Sequence, residues 1–247
     1  MIDEQRFLDI TDKIITSSRE RYGIGLLAEK NVHAIVKEYY EPDEDHQEIP
    51  IEGSVADIYR DGEIIEIQNG NFNKLRTKLT RFLPLYKVTI VYPIPRIRWL
   101  IWVDPETGEL TTKRKSPRKG TVYDLFPELY KIKSFINDKN FNLEVLLIDM
   151  EEYRLLNGWS KDRKKGSTRE ERVPVHLESR HIFTRKEDYM QLVPYELEEP
   201  FTAKEFAKAA KIPLRTAQVA VNILAYQNVI KNVGKRGRAY LYVVEDI

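Results

Sequence analysis

The sequence contains no cysteine. Disulfides, thiolate nucleophiles and Cys-ligated zinc or iron–sulfur centres are therefore excluded. Its four histidines, His33, His46, His176 and His181, are scattered without metal-ligand spacing. Net charge is also nearly absent: 40 Lys and Arg against 39 Asp and Glu leave +1. A global field of one sign is thus not the means of binding, and any affinity for nucleic acid must come from local patches. No apolar run approaches the ~18 residues that span a bilayer. The first ten residues alternate charge and hydrophobe and lack a signal-peptide core. These absences lead to the expectation of a cytoplasmic chain with no membrane partner.

What is present is enough for a core: 42% of the 247 residues are hydrophobic. At ~150 residues per domain the length predicts one large domain or two modest ones. Charge is uneven along the chain. Residues 200–247 carry eight basic residues against three acidic ones, a skew that points to a nucleic-acid-facing module. Just before it, VPYELEEP places two prolines around three glutamates and reads as a domain edge. We therefore expect domains at 1–195 and 196–247.

Periodicity predicts helices over 3–21 and 26–40, the second with Ala28, Val32, Ile35 and Tyr39 on one stripe. Strands are expected at 48–51, 54–59 and 63–68, a basic helix at 73–83, strands at 88–92 and 98–103, a helix at 122–135 and strands at 143–148 and 173–182. A short helix is expected after Thr184. The basic stretches 111–120 and 161–172 read as exposed, mobile loops able to neutralise phosphates. Strands alternating with helices indicate an α/β sheet.

The chemistry concentrates in SVADIYRDGEIIEIQNG. Asp61-Gly62 is a type I′ hairpin signal, because both central residues need positive φ. That turn sets Arg60 opposite Glu63, Tyr59 opposite Ile64, Ile58 opposite Ile65 and Asp57 opposite Glu66. Directly opposed Cβ atoms lie ~4.5–5.5 Å apart, and like charges so placed repel. Gln68 shares their face, whereas Ala56, Ile58, Ile65 and Ile67 form an apolar one. Two readings follow: plain acids on an exposed sheet, or a divalent-cation site. Mg²⁺ takes one or two carboxylates together with waters and phosphate oxygens.

Helix GLLAEKNVHAIVKEYY, strand QEIPI, Asp57 in SVADIY, Glu66 in EIIEIQNG, basic helix NFNKLRTKLTRFL and strand KVTIVYPI together resemble the PD-(D/E)XK nuclease superfamily, the restriction-endonuclease-like fold. The resemblance covers residues 26–103 and extends to uncharacterised bacterial two-domain proteins with a winged-helix tail. It implies a mixed central sheet flanked by helices and metal-dependent hydrolysis of DNA phosphodiesters. Asp57 and Glu66 match the metal ligands, Ile67 would offer its carbonyl, and Glu29 matches a helix-borne acid. Mg²⁺ or Mn²⁺ is the implied cofactor, polarising the phosphoryl oxygen and lowering the pKa of water. Gln68 stands where the family usually has Lys. Gln donates a hydrogen bond but is uncharged and no base. The family includes members with Gln or Glu there, and others whose Lys comes from the following helix, a place Lys74 or Lys78 could fill. Arg76, Lys78 and Arg81 would hold the DNA backbone. Many members dimerise, so a homodimer is open.

The C-terminal segment begins with a capping box, Thr202-Ala-Lys-Glu205. A second helix over 214–227 and a basic hairpin around GKRG follow. This order resembles the winged helix-turn-helix, in which the second helix enters the major groove and the wing rides the backbone. That resemblance points to Arg215 and Gln218 on the helix, and Lys235, Arg236 and Arg238 on the wing, as DNA contacts. The rival reading is a catalytically inactive nuclease-like DNA-binding or regulatory protein, which Gln68 keeps open. A protein-interaction adaptor is the third.

Overall fold

The hairpin at Asp61-Gly62 forms in the expected register. Arg60 pairs with Glu63, Tyr59 with Ile64 and Ile58 with Ile65, and both turn residues hold positive φ, 52° and 80°. The computed structural model of the chain describes residues 2–22, 30–104, 106–159 and 165–245. Glu29 and the start of the expected helix 26–40 lie outside them.

Two helices come first, α1 (Glu4–Tyr22) and α2 (Lys30–Tyr40). Strands β1 (Gln47–Ile51), β2 (Ser54–Arg60) and β3 (Glu63–Ile67) form a meander. Helix α3 (Leu75–Phe82) then crosses to β4 (Lys87–Val103), which runs parallel to β3. A short β5 (Arg114–Lys115) returns along β4. The next crossover contains α4 (Phe126–Leu129) and leads to β6 (Phe141–Trp159), parallel to β4, and β7 (Lys165–Phe183), antiparallel to β6. The resulting mixed sheet has the order β1-β2-β3-β4-β6-β7, with β5 beside β4. Parallel neighbours need such crossovers.

Hydrophobic clusters cover both faces. On one, Phe7 of α1 and Val32, Ile35 and Val36 of α2 pack on Ile58, Ile67, Val91, Leu146 and Ile148. On the other, Leu75, Leu79 and Phe82 of α3 and Phe126 and Leu129 of α4 pack on Ile64, Ile90, Leu143 and Val145. The fold is therefore a large mixed sheet flanked by helices. No helix among the described residues is long and apolar enough to cross a membrane.

Three sequence expectations are corrected here. The separate strands 88–92 and 98–103 are one strand, β4, despite Pro93 and Pro95. The two prolines share the parity of Val91, whose carbonyl faces Gln68. Their missing N–H groups thus fall on the side of β4 where β3 has ended and β5 has not begun. Residues 165–172, expected in a loop, belong to β7. Within it, Arg172 sits opposite Glu152 and donates to it at 3.2 Å. Residues 160–164 of that stretch lie outside the described residues. The basic stretch 111–120 is tied down, with β5 inside it. Lys113 bonds Glu151, and Lys113 and Lys115 lie 5.1 and 5.7 Å over the Trp99 ring. In addition, the expected helix 122–135 is broken into a 3₁₀ turn, α4 and a second 3₁₀ turn that kinks at Ile132.

After the cis bond at Pro200 come α5 (Ala203–Ala209), α6 (Leu214–Tyr226), and the hairpin β8 (Ile230–Arg236) and β9 (Ala239–Val244). The capping box closes as read: Thr202 N–H donates to Glu205 Oε2 at 2.7 Å and Glu205 N–H to Thr202 Oγ at 3.3 Å. Phe206, Ala217, Ala220, Val221 and Leu224 join the same cluster as α3, α4 and the sheet. One apolar core therefore links this segment to the sheet. Phe206→Ala removes a fully buried ring and should cost about 3–5 kcal/mol. All three tryptophans lie before residue 195, so their fluorescence reports the sheet. A denaturant titration followed by that fluorescence should show the sheet's own midpoint falling in the variant.

Candidate active site

Asp57 lies where β2 loses its ladder on both sides. The β1 pairing includes Gln47 with Ile58 and Ile49 with Ala56 but omits Glu48, whose φ is 52°. The β3 pairing stops at Ile58 and Ile65. Ala56 accordingly joins the α3-side cluster while Ile58 joins the other. This corrects the expectation that Ala56 shares a face with Ile58, Ile65 and Ile67: the alternation slips at Asp57. The freed carboxylate turns inward. Its Oδ2 accepts the Ile67 N–H at 2.8 Å and lies 3.1 Å from His33 Nε2.

Glu66 lies in β3, beside Ile90 of β4, and is only 2% exposed. Its Oε2 accepts from Lys78 Nζ at 2.6 Å. Its Oε1 is buried without a hydrogen-bond partner. Such an atom normally carries a desolvation cost of about 1–3 kcal/mol, so it marks a place where a ligand would be welcome.

The electrostatics of the pair follow from this geometry. Burial pushes the Glu66 carboxyl up, and the charge of Asp57 adds to it; even with Lys78 alongside, it stands at about 7. Asp57 also feels burial, but the hydrogen bond and charge of His33, the Ile67 amide and Lys78 outweigh it and hold its carboxyl below the usual range. Near neutrality the two carboxyls therefore share roughly one proton.

Two helices deliver the cations. On α3, Leu75, Lys78, Leu79 and Phe82 form one stripe at i, i+3, i+4 and i+7, and the lone charge in it reaches Glu66. On α2, His33 and Lys37 lie one turn apart; the first meets Asp57 and the second Glu48. His33 is a site residue that sequence reasoning missed. Its signal was the i, i+4 spacing with Lys37 beside the buried Val32–Val36 stripe.

The remaining sequence candidates are placed as follows. Gln68, expected in the strand, lies just past the end of β3, and its amide folds back onto the Gly70 carbonyl. Ile67 supplies its N–H to Asp57 and packs its side chain against the α2 side. Arg76 donates to the Lys131 carbonyl at 2.7 Å and Arg81 to the Gly53 carbonyl at 2.6 Å, so both tie α3 to neighbouring segments. Arg215 and Gln218 are exposed on α6. Lys235 lies 4.8 Å over the Tyr240 ring, and Arg236 bonds Glu205 and the Pro200 carbonyl. Arg238 joins Gln218, Asn222, Leu214 and Tyr240 around a groove of about 500 Å³ between α6 and the hairpin. Among the described residues, no three His, Asp or Glu side chains converge as a ready metal-ligand cluster. The Asp57–Glu66 pair is nonetheless the hard-oxygen donor set that Mg²⁺ or Mn²⁺ takes when substrate and water complete the shell, and the orphaned Glu66 Oε1 fits that use.

The family described as "Domain of unknown function (DUF8091)" matches residues 30–184, from α2 through β7. That is well over half of the chain, and the chain belongs to this family. The match includes Asp57, Glu66, His33 and Lys78 and ends before α5. An uncharacterized protein of Treponema pallidum (strain Nichols) is 26% identical over 220 residues, covering 89% of this chain and 86% of the relative. No solved structure matches the chain.

The raised Glu66 carboxyl has a stability consequence. In the unfolded chain it ionises near 4.5, in the folded one at about 7. Its favourable contribution is complete below the first value and lost as pH rises through the second. Glu66→Gln should therefore gain on the native chain by several degrees of Tm between pH 4.5 and pH 7.5, measured by thermal melts across that range. A constant difference between the two would contradict the assigned burial.

Proposed function

We propose that this member of the DUF8091 family is a metal-dependent DNA nuclease, with Asp57 and Glu66 as the metal-holding carboxylates and the C-terminal segment as a winged-helix DNA-binding module. The observation that carries the reading is the Asp57–Glu66 pair, Glu66 buried and Asp57 partly so, with an unpartnered oxygen on Glu66 and a lysine from the following helix at 2.6 Å. Burying two acids side by side is costly unless something repays it, and structural need alone does not explain the orphaned Oε1.

Asp57 and Glu66, with the Ile67 carbonyl, would hold Mg²⁺ or Mn²⁺. Such an ion polarises a phosphoryl oxygen and makes water nucleophilic near neutral pH. Lys78 takes the role that Gln68 leaves vacant. Lys78, which donates to Glu66 at 2.6 Å, would stand beside a cation held there and would stabilise charge that develops on phosphate. His33 fixes the orientation of Asp57. The groove between α6 and the β8–β9 hairpin, with Gln218 and Arg238 on its two walls, supports duplex contact by helix and wing.

One observation favours a second reading. The Gln68 amide is turned away onto Gly70, and Lys78 is engaged by Glu66. A head that keeps the fold and its DNA contacts but no longer cuts would have this appearance, and the chain would then be a DNA-binding regulator.

Cleavage of single-stranded, duplex and branched DNA with Mg²⁺ or Mn²⁺ separates the two. The nuclease reading predicts metal-dependent cleavage that disappears in Asp57→Ala and Glu66→Ala and falls about 10²–10³-fold in Lys78→Met. Intact DNA binding with no cleavage of any substrate would replace it with the regulator. Binding should weaken in Arg238→Ala with a shallower salt dependence.

A further inference from the structure

Strand β3 leaves β4 at Val91, and β5 joins β4 only at Trp99. Between them this edge of β4 has no partner strand, only the Gly120 and Ser116 amides on the Arg96 and Arg98 carbonyls. A cleft of about 360 Å³ lies there, lined by Asn69, Tyr92, Arg98, Arg118, Arg172 and Thr216 among others. That volume is in the range of about 300–1,000 Å³ that small-ligand sites occupy. The cleft lies further along β4 than the carboxylate pair, and neither acid of the pair lines it. Gln68 N–H bonds the Val91 carbonyl at 2.9 Å, and Asn69 follows it. Tyr92 lies two residues beyond Ile90, the partner of Glu66, on the same sheet face, about 7 Å along the strand.

Its lining is rich in donors. Three arginines line it, and two are loosely held. Arg98 reaches Ser116 Oγ at 3.4 Å and Glu152 only at 4.0 Å; Arg118 reaches Asp124 at 3.3 Å with its side chain 71% exposed. Arg172 is anchored on Glu152. Two acids also line the cleft, and both are engaged: Glu128 accepts from the Phe72 N–H and Lys131, and Asp124 from Arg118. The wall that carries Arg118 is pinned at both ends. Ser116 N–H bonds the Arg98 carbonyl and Gly120 N–H the Arg96 carbonyl, each at 2.8 Å. Any Cβ at Gly120 would sit 2.2 Å from the Pro95 carbonyl oxygen, so this approach requires glycine. Tyr92, Ile94, Pro95 and Pro127 add aromatic and apolar lining, Tyr92 being braced edge-on by Phe72 at 5.0 Å.

We propose that this cleft seats one nucleotide unit, its phosphate on Arg98, Arg118 and Arg172 and its base against the Tyr92 wall. Guanidinium forks match phosphate oxygens in pairs, and a flat aromatic surface accepts any base by stacking. As a statement about substrate, this rests on the nuclease reading: the seated nucleotide would neighbour the scissile phosphodiester, placing the cut near a strand end or an extruded residue. The same chemistry could also come from a free mononucleotide. Thr216 at the start of α6 forms part of the wall, so the C-terminal helices help to shape the seat.

Calorimetric titration with dAMP, deoxyadenosine and inorganic phosphate, on the full chain without metal, tests the cleft directly. We expect dAMP to bind, deoxyadenosine not to bind, and Arg118→Ala to weaken dAMP by about tenfold or more, since a hydrogen bond to a charged group is of that order. Arg118 is exposed, so its loss leaves the fold intact; Arg118→Lys, which keeps the charge but loses the fork, should recover only part of the affinity. Glu66→Gln should retain dAMP binding while losing any cleavage, so a failure of the nuclease reading leaves this result standing. Competition by a 5′-phosphorylated oligonucleotide below the dAMP concentration identifies a strand end as the source; competition by free mononucleotide alone identifies the latter. No dAMP binding, or binding that Arg118→Ala leaves unchanged, would overturn the proposal.

Discussion

Two carboxylates held close together out of water are the constraint around which this half of the molecule is arranged. Asp57 and Glu66 repel each other, and burial makes the repulsion stronger than it would be in solvent. The fold answers with three devices. β2 gives up its ladder at Asp57, so that a backbone amide can bond the carboxylate. α2 brings His33 from one face of the sheet. α3 brings Lys78 from the other. Even so, one oxygen of Glu66 is left without a partner, and that carboxyl titrates at about 7. A chain that needed only stability would do better with apolar residues of similar size at these positions.

The placement of that pair depends on where strands begin and end. β3 is short and stops opposite Val91, and the prolines of β4 keep its next stretch unpaired. The result is an open edge beside the middle of β4, just past the carboxyl end of β3. The pair lies at the start of this edge and the arginine-lined cleft further along it. α4, α6 and the loop pinned by Gly120 close the far side.

Much of this was legible in the sequence, for identifiable reasons. The Asp61-Gly62 turn has one good solution, and it fixed which residues face each other up to Ile58 and Ile65. The capping box at Thr202 is local and formed as written. Lys78 was readable as the single charge in an apolar stripe. What sequence could not supply were the long-range matches. His33 meets Asp57 across 24 residues. Residues 165–172 resemble a solvated loop until Glu152 is placed opposite Arg172. Two prolines argue against a strand until one side of it is known to be unpaired. The slip of faces at Asp57 was also hidden, because it depends on Glu48 taking a left-handed conformation in the neighbouring strand.

The central claim is that the Asp57–Glu66 pair is built to hold a divalent cation. Its most direct test is a Mn²⁺ titration of the metal-free chain, read by the loss of the free-ion paramagnetic resonance signal, above and below pH 7 and beside Asp57→Ala. The account predicts one bound Mn²⁺ per chain above pH 7, weaker binding below it as Glu66 takes up a proton, and none at this site in Asp57→Ala. Binding that is indifferent to both pH and Asp57→Ala, or no binding at all, would contradict it.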